Sequence, residues 1–316
     1  MKKRGFQGTI EIEKGTKAAR KGGGQKEERV KSNMQFPRIY AFADEASPMI
    51  DGQIAAMKRN GLNGLEIRNV DGENVSAISL DKAREVRKKL EDAGLTVWSI
   101  GSPIGKIDIE KDDFAAHLDA LRHTIEVARV LNCENIRMFS FYIPEGKNPR
   151  DYRAQVLDRL HIMAETVRGT GVVLCHENEK GIYGDMADRC LDVLTEVPEL
   201  AGVFDPANFV QCGQDTLKAW ELLKDRIRYL HIKDAMFADG HVVPAGKGEG
   251  NVPFIVGEYL RQGGQCMTVE PHLKVFSGLA HLERPGETRS LDEVGYPSND
   301  AAFDAACGAL KAILNA

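Results

Sequence analysis

Residues 172–234 decide the fold, because they hold three short apolar runs that each end in polar or charged side chains: VVLCHENE (172–179), GVFDPAN (202–208) and RYLHIKD (228–234). Longer segments with apolar residues at helical spacing separate or precede these runs, as at Val156, Leu160, Met163 and Val167. Short strands that alternate with amphipathic helices predict βαβ units and a parallel sheet, which places the chain in the α/β class.

The same alternation continues along the whole chain from residue 36. Eight β-rich runs cover residues 38–43, 64–70, 95–100, 135–141, 172–176, 202–204, 228–232 and 266–269, and their starts lie 26 to 40 residues apart. Helices are expected to end just before the next strand at Gly61, Gly94, Gly171 and Gly264. Eight βα units over about 280 residues predict a single (β/α)₈ TIM barrel. An open doubly wound sheet is the alternative, but the first strand runs into FADEASP (42–48), without a glycine-rich phosphate loop.

Charge is distributed unevenly along the chain. The net charge is −5, but residues 1–35 contain ten Lys or Arg residues and four Glu residues, which leaves an acidic body. This opening stretch has few apolar residues, so it cannot bury enough surface to offset the entropy of ordering. We therefore expect residues 1–35 to be a basic, flexible extension and residues 36–316 to form the barrel domain.

The composition argues against several classes of protein. No apolar run approaches the roughly 20 residues that span a bilayer, so no membrane partner is expected. The basic N-terminus lacks the apolar core of a secretory signal. Six cysteines are scattered without a CxxC pair, which favours a reducing cytoplasm over a disulfide framework. A nucleic-acid partner is not expected, because the acidic body lacks the basic face that a phosphate backbone needs.

Four ionisable residues stand at the carboxyl ends of four consecutive predicted strands: Glu177, Asp205, His231 and Glu270. Barrel chemistry sits at these ends, and neighbouring strands are only about 4.8 Å apart, so the four side chains should converge. Three carboxylates that close together would repel one another, and a divalent cation removes the repulsion. We expect one divalent metal ion, Mn²⁺ first and Mg²⁺, Co²⁺ or Zn²⁺ as alternatives.

Five motifs extend this pattern: ENEKG (177–181), FDPAN (204–208), HIKD (231–234), PAGKGEG (244–250) and VEP (269–271). In their order and spacing, the chain from about residue 38 to the end resembles the xylose-isomerase-like TIM barrels. This superfamily includes sugar phosphate isomerases and epimerases, ketose 3-epimerases and AP endonucleases of family 2. The resemblance implies that the four strand-end residues ligate one divalent metal, and that Glu177 and Glu270 act as acid and base.

The activity that the resemblance implies is metal-dependent isomerisation or epimerisation of a sugar or sugar phosphate through an enediolate. A dehydratase of keto-inositol type and a sugar-binding barrel without turnover are the alternatives. The nuclease branch is not expected. The Asp-x-His spacing of that branch is present at Asp239-Gly240-His241, but the second and third strand ends lack the histidines of its three-metal site. The expected partner is therefore a small carbohydrate.

Five further side chains are predicted to contact the substrate: Asn208, Lys233, Arg68, Lys106 and His241. Lys233 lies two residues after His231 and so points to the same side of the strand. Its alternative role is a salt bridge to one of the metal-ligating carboxylates. The alternative for Asn208 is a cap on the following helix. Arg68 shares a face with Glu66, so it either pairs with that carboxylate or holds an anionic part of the substrate.

Three other residues receive structural interpretations. His176 alternates with Glu177 and is expected to face the helices. Trp98 is expected in the core rather than under a sugar. His272 is either a support of the metal site or a solvated loop residue.

The connection over residues 271–298 is long and has little helical pattern. Loops of this length in compact domains are commonly functional. Its apolar residues Phe276, Leu279 and Leu282 would be costly to leave in water, which predicts a lid or a contact with a second copy in a homo-oligomer.

Deleting residues 1–35 is expected to leave stability and turnover unchanged, because the segment has no core-forming pattern. Thermal unfolding and steady-state rates of the full chain and of the truncated chain measure this. A loss of several degrees in Tm would contradict the prediction.

Overall fold

The structure is a computed structural model, and it describes residues 36–278 and 295–316. The predicted extension over residues 1–35 lies outside the described residues, as do Leu279 and Leu282 of the long connection. The described residues therefore belong to the barrel domain.

Eight parallel strands close into a barrel. They are β1 Arg38–Ala41, β2 Gly64–Ile67, β3 Thr96–Gly101, β4 Asn135–Met138, β5 Val173–Glu177, β6 Ala201–Phe204, β7 Ile227–Ile232 and β8 Cys266–Val269. Each strand pairs with its neighbours in chain order, and β8 closes the ring on β1, with Arg38 opposite Cys266 and Ala41 opposite Val269. The predicted α/β class and the single (β/α)₈ barrel are confirmed.

β1 ends two residues earlier than the apolar pattern predicts, and β2 and β4 each end three residues earlier. After β2 the chain leaves the barrel, and Asn69–Val70 pairs instead with Glu73–Asn74 in a short antiparallel hairpin. After β4, Phe141 has a φ of 66°, a left-handed conformation that a strand does not tolerate. Apolar composition continues past both strand ends because these loops are buried, not because the strands are longer.

Helices follow the strands around the outside of the barrel. They are α1 Ile50–Arg59, α2 Leu80–Asp92, α3 Phe114–Val130, α4 Arg153–Val167, α5 Ala187–Glu196, α6 Pro206–Gln211, α7 Thr216–Leu223, α8 Val252–Arg261 and α9 Asn299–Leu314. Ser79, Asp113, Asp215 and Ser298 cap their helices by accepting backbone N–H groups. Within residues 36–278 and 295–316, every helix is too short or too polar to cross a membrane.

The glycines that end the helices largely follow the prediction. Gly61, Gly94 and Gly171 have positive φ angles, as expected. The prediction for Gly264 is wrong, because the left-handed residue there is Gly263, with φ 89°. Gly264 is needed for space instead, since a Cβ would lie 2.4 Å from the Tyr259 ring.

Side chains fill the barrel interior between His231 and the end of the barrel where the strands begin. A cluster of Tyr40, Cys175, Val203, Tyr229 and Cys266 packs there with Trp98 against it. The Trp98 ring stacks on Tyr40 at 5.6 Å and meets Tyr229 edge-on at 5.7 Å. Trp98 is therefore a packing residue, as predicted, and this plug leaves the opposite end of the barrel for polar side chains.

Substituting Gly105 with Ala should destabilise the barrel more than the same change at Gly213. Both glycines have positive φ, where Ala costs roughly 1–2 kcal/mol. Only at Gly105 would the new Cβ also overlap a neighbour, lying 1.9 Å from the Phe139 carbonyl oxygen, whereas Gly213 opens to free space. Overpacking typically adds 1–3 kcal/mol. Urea unfolding of the two variants measures the difference, and equal losses would refute the packing argument.

Candidate metal centre

The carboxyl ends of β5 to β8 bring four ionisable side chains together. Glu177 ends β5, Asp205 follows β6, His231 lies near the end of β7 and Glu270 follows β8. One ligand atom from each lies within 4.8 Å of the others, and all four residues are buried. The four strands are consecutive in the ring. The fold therefore gathers the four side chains that the sequence predicts as metal ligands.

His231 lies at the centre of this group. Its Nδ1 is 3.0 Å from Glu177 Oε1 and 3.3 Å from Glu270 Oε2, while its Nε2 is 3.0 Å from Glu66 Oε2 on the other side. Burial alone would lower the pKa of His231, but the carboxylates of Glu177 and Glu66 outweigh it and hold that pKa well above its usual value. The imidazole is thus surrounded by negative charge.

Lys233 points into the same group, as its position two residues after His231 predicts. Its ammonium lies 2.8 Å from Asp205 Oδ2 and 3.2 Å from Glu270 Oε2, so the alternative of a salt bridge to ligand carboxylates is realised. Burial raises the pKa of Asp205 to about 7 against the opposing effect of Lys233. Burial would also raise the pKa of Glu270, but Lys233 and His272 hold it well below its usual value.

Each of the two glutamates also faces a buried arginine. Arg137 Nη1 lies 3.0 Å from Glu177 Oε2, and Arg68 Nη1 lies 3.6 Å from Glu270 Oε1. Both guanidinium groups stack on the ring of Phe42, at 5.3 Å and 4.5 Å from its centroid. Against the effect of burial, His231 and Arg137 lower the pKa of Glu177. The two carboxylates are therefore held in similar, cationic surroundings.

The alternative in which Arg68 pairs with Glu66 is wrong. Arg68 Nε and Nη2 donate to the two oxygens of Asp44, and Nη2 also reaches Glu45 Oε1 at 3.1 Å. Glu66 faces His231 and Tyr229 instead. Simple alternation fails because β2 ends at Ile67, one residue before Arg68, and its register with β3 shifts just before Glu66.

Asn208 lies inside α6 and does not cap it. The cap is Asp205, whose Oδ1 accepts the backbone N–H of Asn208 at 2.9 Å, so the helix-cap alternative for Asn208 is wrong. The Asn208 amide donates to Glu177 Oε1 at 3.3 Å and to the carbonyl of Asn178 at 2.9 Å. The side chain therefore touches Glu177, one of the four candidate ligands.

Lys106 and His241 lie on the loops around the centre. Lys106 Nζ pairs with Glu179 Oε2 at 2.9 Å and lies 4.5 Å from the centroid of the Phe139 ring. The backbone N–H of His241 donates to Asp239 Oδ1, so this Asp-x-His segment forms a turn. Among the described residues, neither of the two candidate metal clusters includes Asp239 or His241.

The glycine-rich segment PAGKGEG (244–250) is fastened by one carboxylate. Asp234 Oδ2 accepts the backbone N–H groups of Gly246 and Gly248, and its Oδ1 accepts that of Gly250. A Cβ on Gly248 would lie 2.4 Å from Asp234 Oδ1, so the backbone approaches too closely for any side chain. The HIKD motif thus supplies both a member of the centre and the anchor of this loop.

Sequence reasoning missed a second group beside the first. His272 Nδ1 lies 3.0 Å from Glu45 Oε1 and 3.4 Å from Glu270 Oε1, and the three residues are buried. The alternative of a solvated His272 is therefore wrong. The only signal in the sequence is that Asp44-Glu45 ends the first strand, because the loop after Glu270 brings His272 back to it with a φ of 45°.

Phe276 and His176 are both buried within the chain. The Phe276 ring packs edge-on against His272 and lies 5.0 Å from the Arg68 guanidinium. Phe276 is therefore buried, and the lid or second-copy contact expected for residues 271–298 stays a prediction. His176 pairs through Nε2 with Ser140 Oγ at 2.9 Å, and burial lowers its pKa to about 4. This supports its predicted structural role.

The fold and this centre agree with a known family. Residues 54–273 match the family described as Xylose isomerase-like TIM barrel. The match covers more than half of the chain, and the chain belongs to this family.

Individual relatives are more distant. The chain is 24% identical over 200 residues to the uncharacterized protein YihM of Escherichia coli strain K12, a match that covers 62% of this chain and only 57% of that protein. The fold of the present chain is similar to that of L-ribulose 3-epimerase, with a TM-score of 0.68, 18% identity and coverage of 89% of this chain and 95% of the other. It is also similar to the IOLI protein with a bound zinc atom, with a TM-score of 0.65, 14% identity and coverage of 89% and 98%.

Adding Mn²⁺ or Co²⁺ to metal-free protein should raise its Tm by several degrees. A ligand that binds only the folded state at 100 times its Kd stabilises by about 2.7 kcal/mol, and the three carboxylates lose their mutual repulsion. Asp205→Ala should abolish the increase. Asp239→Asn is the matched control, because it changes a carboxylate outside the cluster and keeps the oxygen that accepts the His241 N–H. Differential scanning calorimetry measures all three proteins, and an unchanged wild-type Tm would contradict the prediction.

Proposed function

We propose that the protein is a divalent-metal-dependent isomerase or epimerase of a sugar or sugar phosphate. The observation that carries the proposal is the pair of buried glutamates that both approach Nδ1 of His231, each beside its own arginine. Such a pair suits a reaction in which one carboxylate removes a proton and another returns it. The epimerase among the similar structures supports the same reaction class.

The residues present fit a divalent metal. Three carboxylates and one imidazole form a donor set that suits Mn²⁺, Mg²⁺ or Co²⁺, and Zn²⁺ less well. Asp205 Oδ2 is buried and makes no conventional hydrogen bond in the described part of the chain, although it faces the Lys233 ammonium. Glu177, Asp205, His231 and Glu270 would hold the ion. When bound, it would polarise the carbonyl and adjacent hydroxyl of a sugar.

The two glutamates would carry the proton. Glu177 and Glu270 come from strand ends three positions apart in the ring, a spacing that would let them reach opposite faces of a planar enediolate. The lowered pKa of each keeps the carboxylate ionised at neutral pH, which is the form that a general base needs. Return of the proton to the opposite face gives an epimer, and return to the neighbouring carbon gives an isomer.

The substrate would be oriented by polar groups around the glutamates. The proposed contacts are Asn208, Lys233, Arg68, Lys106 and His241. Lys233 and Asn208 are the central ones, because they already touch members of the cluster. The Asp234-bound glycine segment (244–250) would help to exclude water from the reacting carbon.

Glu177→Gln and Glu270→Gln should each lower turnover by about 10²–10⁴-fold, because each removes one acid–base group while keeping an oxygen near the metal. The assay is deuterium incorporation from D₂O into a panel of ketoses and their phosphates, followed by NMR, with metal content measured in parallel. One variant should still exchange substrate hydrogen without forming the epimer, since it keeps one base.

Glu126→Gln is the matched control for these variants. It makes the same chemical change on the exposed face of α3 and keeps the oxygen that accepts from Arg129 Nη1. Near-normal rates in both test variants with metal bound would refute the acid–base assignment. Loss of a hydroxyl from the product would favour the dehydratase alternative over epimerisation.

A further inference from the structure

A buried hydrogen-bonded chain lies on the side of His231 away from the metal centre. Ser99 Oγ lies 3.1 Å from the Tyr229 hydroxyl, Tyr229 donates to Glu66 Oε1 at 2.9 Å, and His231 Nε2 lies 3.0 Å from Glu66 Oε2. All four residues are buried. Proton transfer by Glu177 and Glu270 uses none of these contacts, so the presence of a carboxylate here calls for another explanation.

Donor and acceptor chemistry fixes the direction of these bonds. A carboxylate only accepts hydrogen bonds, so Nε2 of His231 must carry a proton that it donates to Glu66. The Tyr229 hydroxyl occupies the other oxygen of Glu66 and prevents the carboxylate from turning away. Nδ1 of His231 is then the nitrogen left to face the three carboxylates, at 3.0 to 3.9 Å.

The imidazole ring is also confined by packing. The Phe42 ring meets it edge-on at 5.3 Å, and the Tyr229 ring lies 5.6 Å away at an angle of 58°. Glu66 reaches the ring from β2, three positions around the barrel from β7. Glu66 crosses the barrel interior and bonds a single nitrogen of the imidazole. This contact sets the orientation of the ring more firmly than β7, the strand that carries His231, can do alone.

We propose that Glu66 is a positioning residue that holds His231 with Nδ1 directed at the metal. The proposal rests on the proposed function for the metal itself. Groups that orient a metal-bound histidine through its other nitrogen typically contribute 10–100-fold to metal affinity. Glu66→Ala should therefore weaken Co²⁺ binding by 10–100-fold, whereas Glu66→Gln, which keeps an acceptor oxygen, should stay within about 10-fold of wild type.

The experiment combines isothermal titration with Co²⁺ and NMR of ¹⁵N-histidine-labelled protein. In the metal-free wild type, the His231 Nε2–H resonance should be protected from exchange with solvent. It should shift and lose protection in Glu66→Ala but persist in Glu66→Gln. Ser76→Ala is the matched control: it removes a buried hydroxyl before α2 that makes no hydrogen bond in the described part of the chain. Its Co²⁺ affinity and its His231 resonance should equal those of wild type.

Two results would overturn the positioning role. One is a folded Glu66→Ala protein with wild-type Co²⁺ affinity and an unchanged His231 resonance. The other is equal loss of affinity in Glu66→Ala and Glu66→Gln. Failure of the proposed function looks different, because wild-type protein would then bind no Co²⁺ while the NMR signal of the metal-free protein still reports whether Glu66 orients His231.

Discussion

The constraint on which the site depends is the repulsion among Glu177, Asp205 and Glu270, which converge where little water reaches them. Charges this close interact several times more strongly in a protein interior than in water, so each carboxylate needs a cation nearby to stay ionised. The protein supplies these cations from other strand ends. Arg137 faces Glu177, Lys233 bridges Asp205 and Glu270, and Arg68 approaches Glu270 from the far side.

Closure of the barrel is what allows this compensation. Arg68 follows β2 and Glu270 follows β8, and the two meet only because β1 pairs with both strands. In an open sheet, β1 and β8 would be edges, and the cation would be separated from the carboxylate. Phe42, just after β1, completes the arrangement by packing under both guanidinium groups. The charge compensation at the site therefore depends on closure of the barrel.

Strand-end residues could be predicted from the sequence, and loop residues could not. Hydrophobic periodicity locates all eight strands, and the parallel arrangement then brings together Glu177, Asp205, His231 and Glu270. Hydrophobic periodicity carries no information about the chain beyond the end of a strand. Arg68, His272 and Phe276 all lie beyond strand ends, and their contacts were not predicted. The loop after β8 turns back through a left-handed backbone at His272, and the enrichment of histidine in that conformation is too weak to predict a turn at one particular residue.

The balance of charge explains why a divalent ion suits this mouth better than one more ammonium group. Among the described residues, eight carboxylates are buried but only three cationic Arg or Lys side chains; the acids are Asp44, Glu45, Glu66, Glu177, Glu179, Asp205, Asp234 and Glu270, and the cations are Arg68, Arg137 and Lys233. Lys233 carries one charge, which lies beside Asp205 and Glu270, while Glu177 Oε1 faces the imidazole. A divalent ion brings two charges to oxygens of all three carboxylates at once. This requires the three carboxylates to lie close together, and the four strand ends hold them in that geometry.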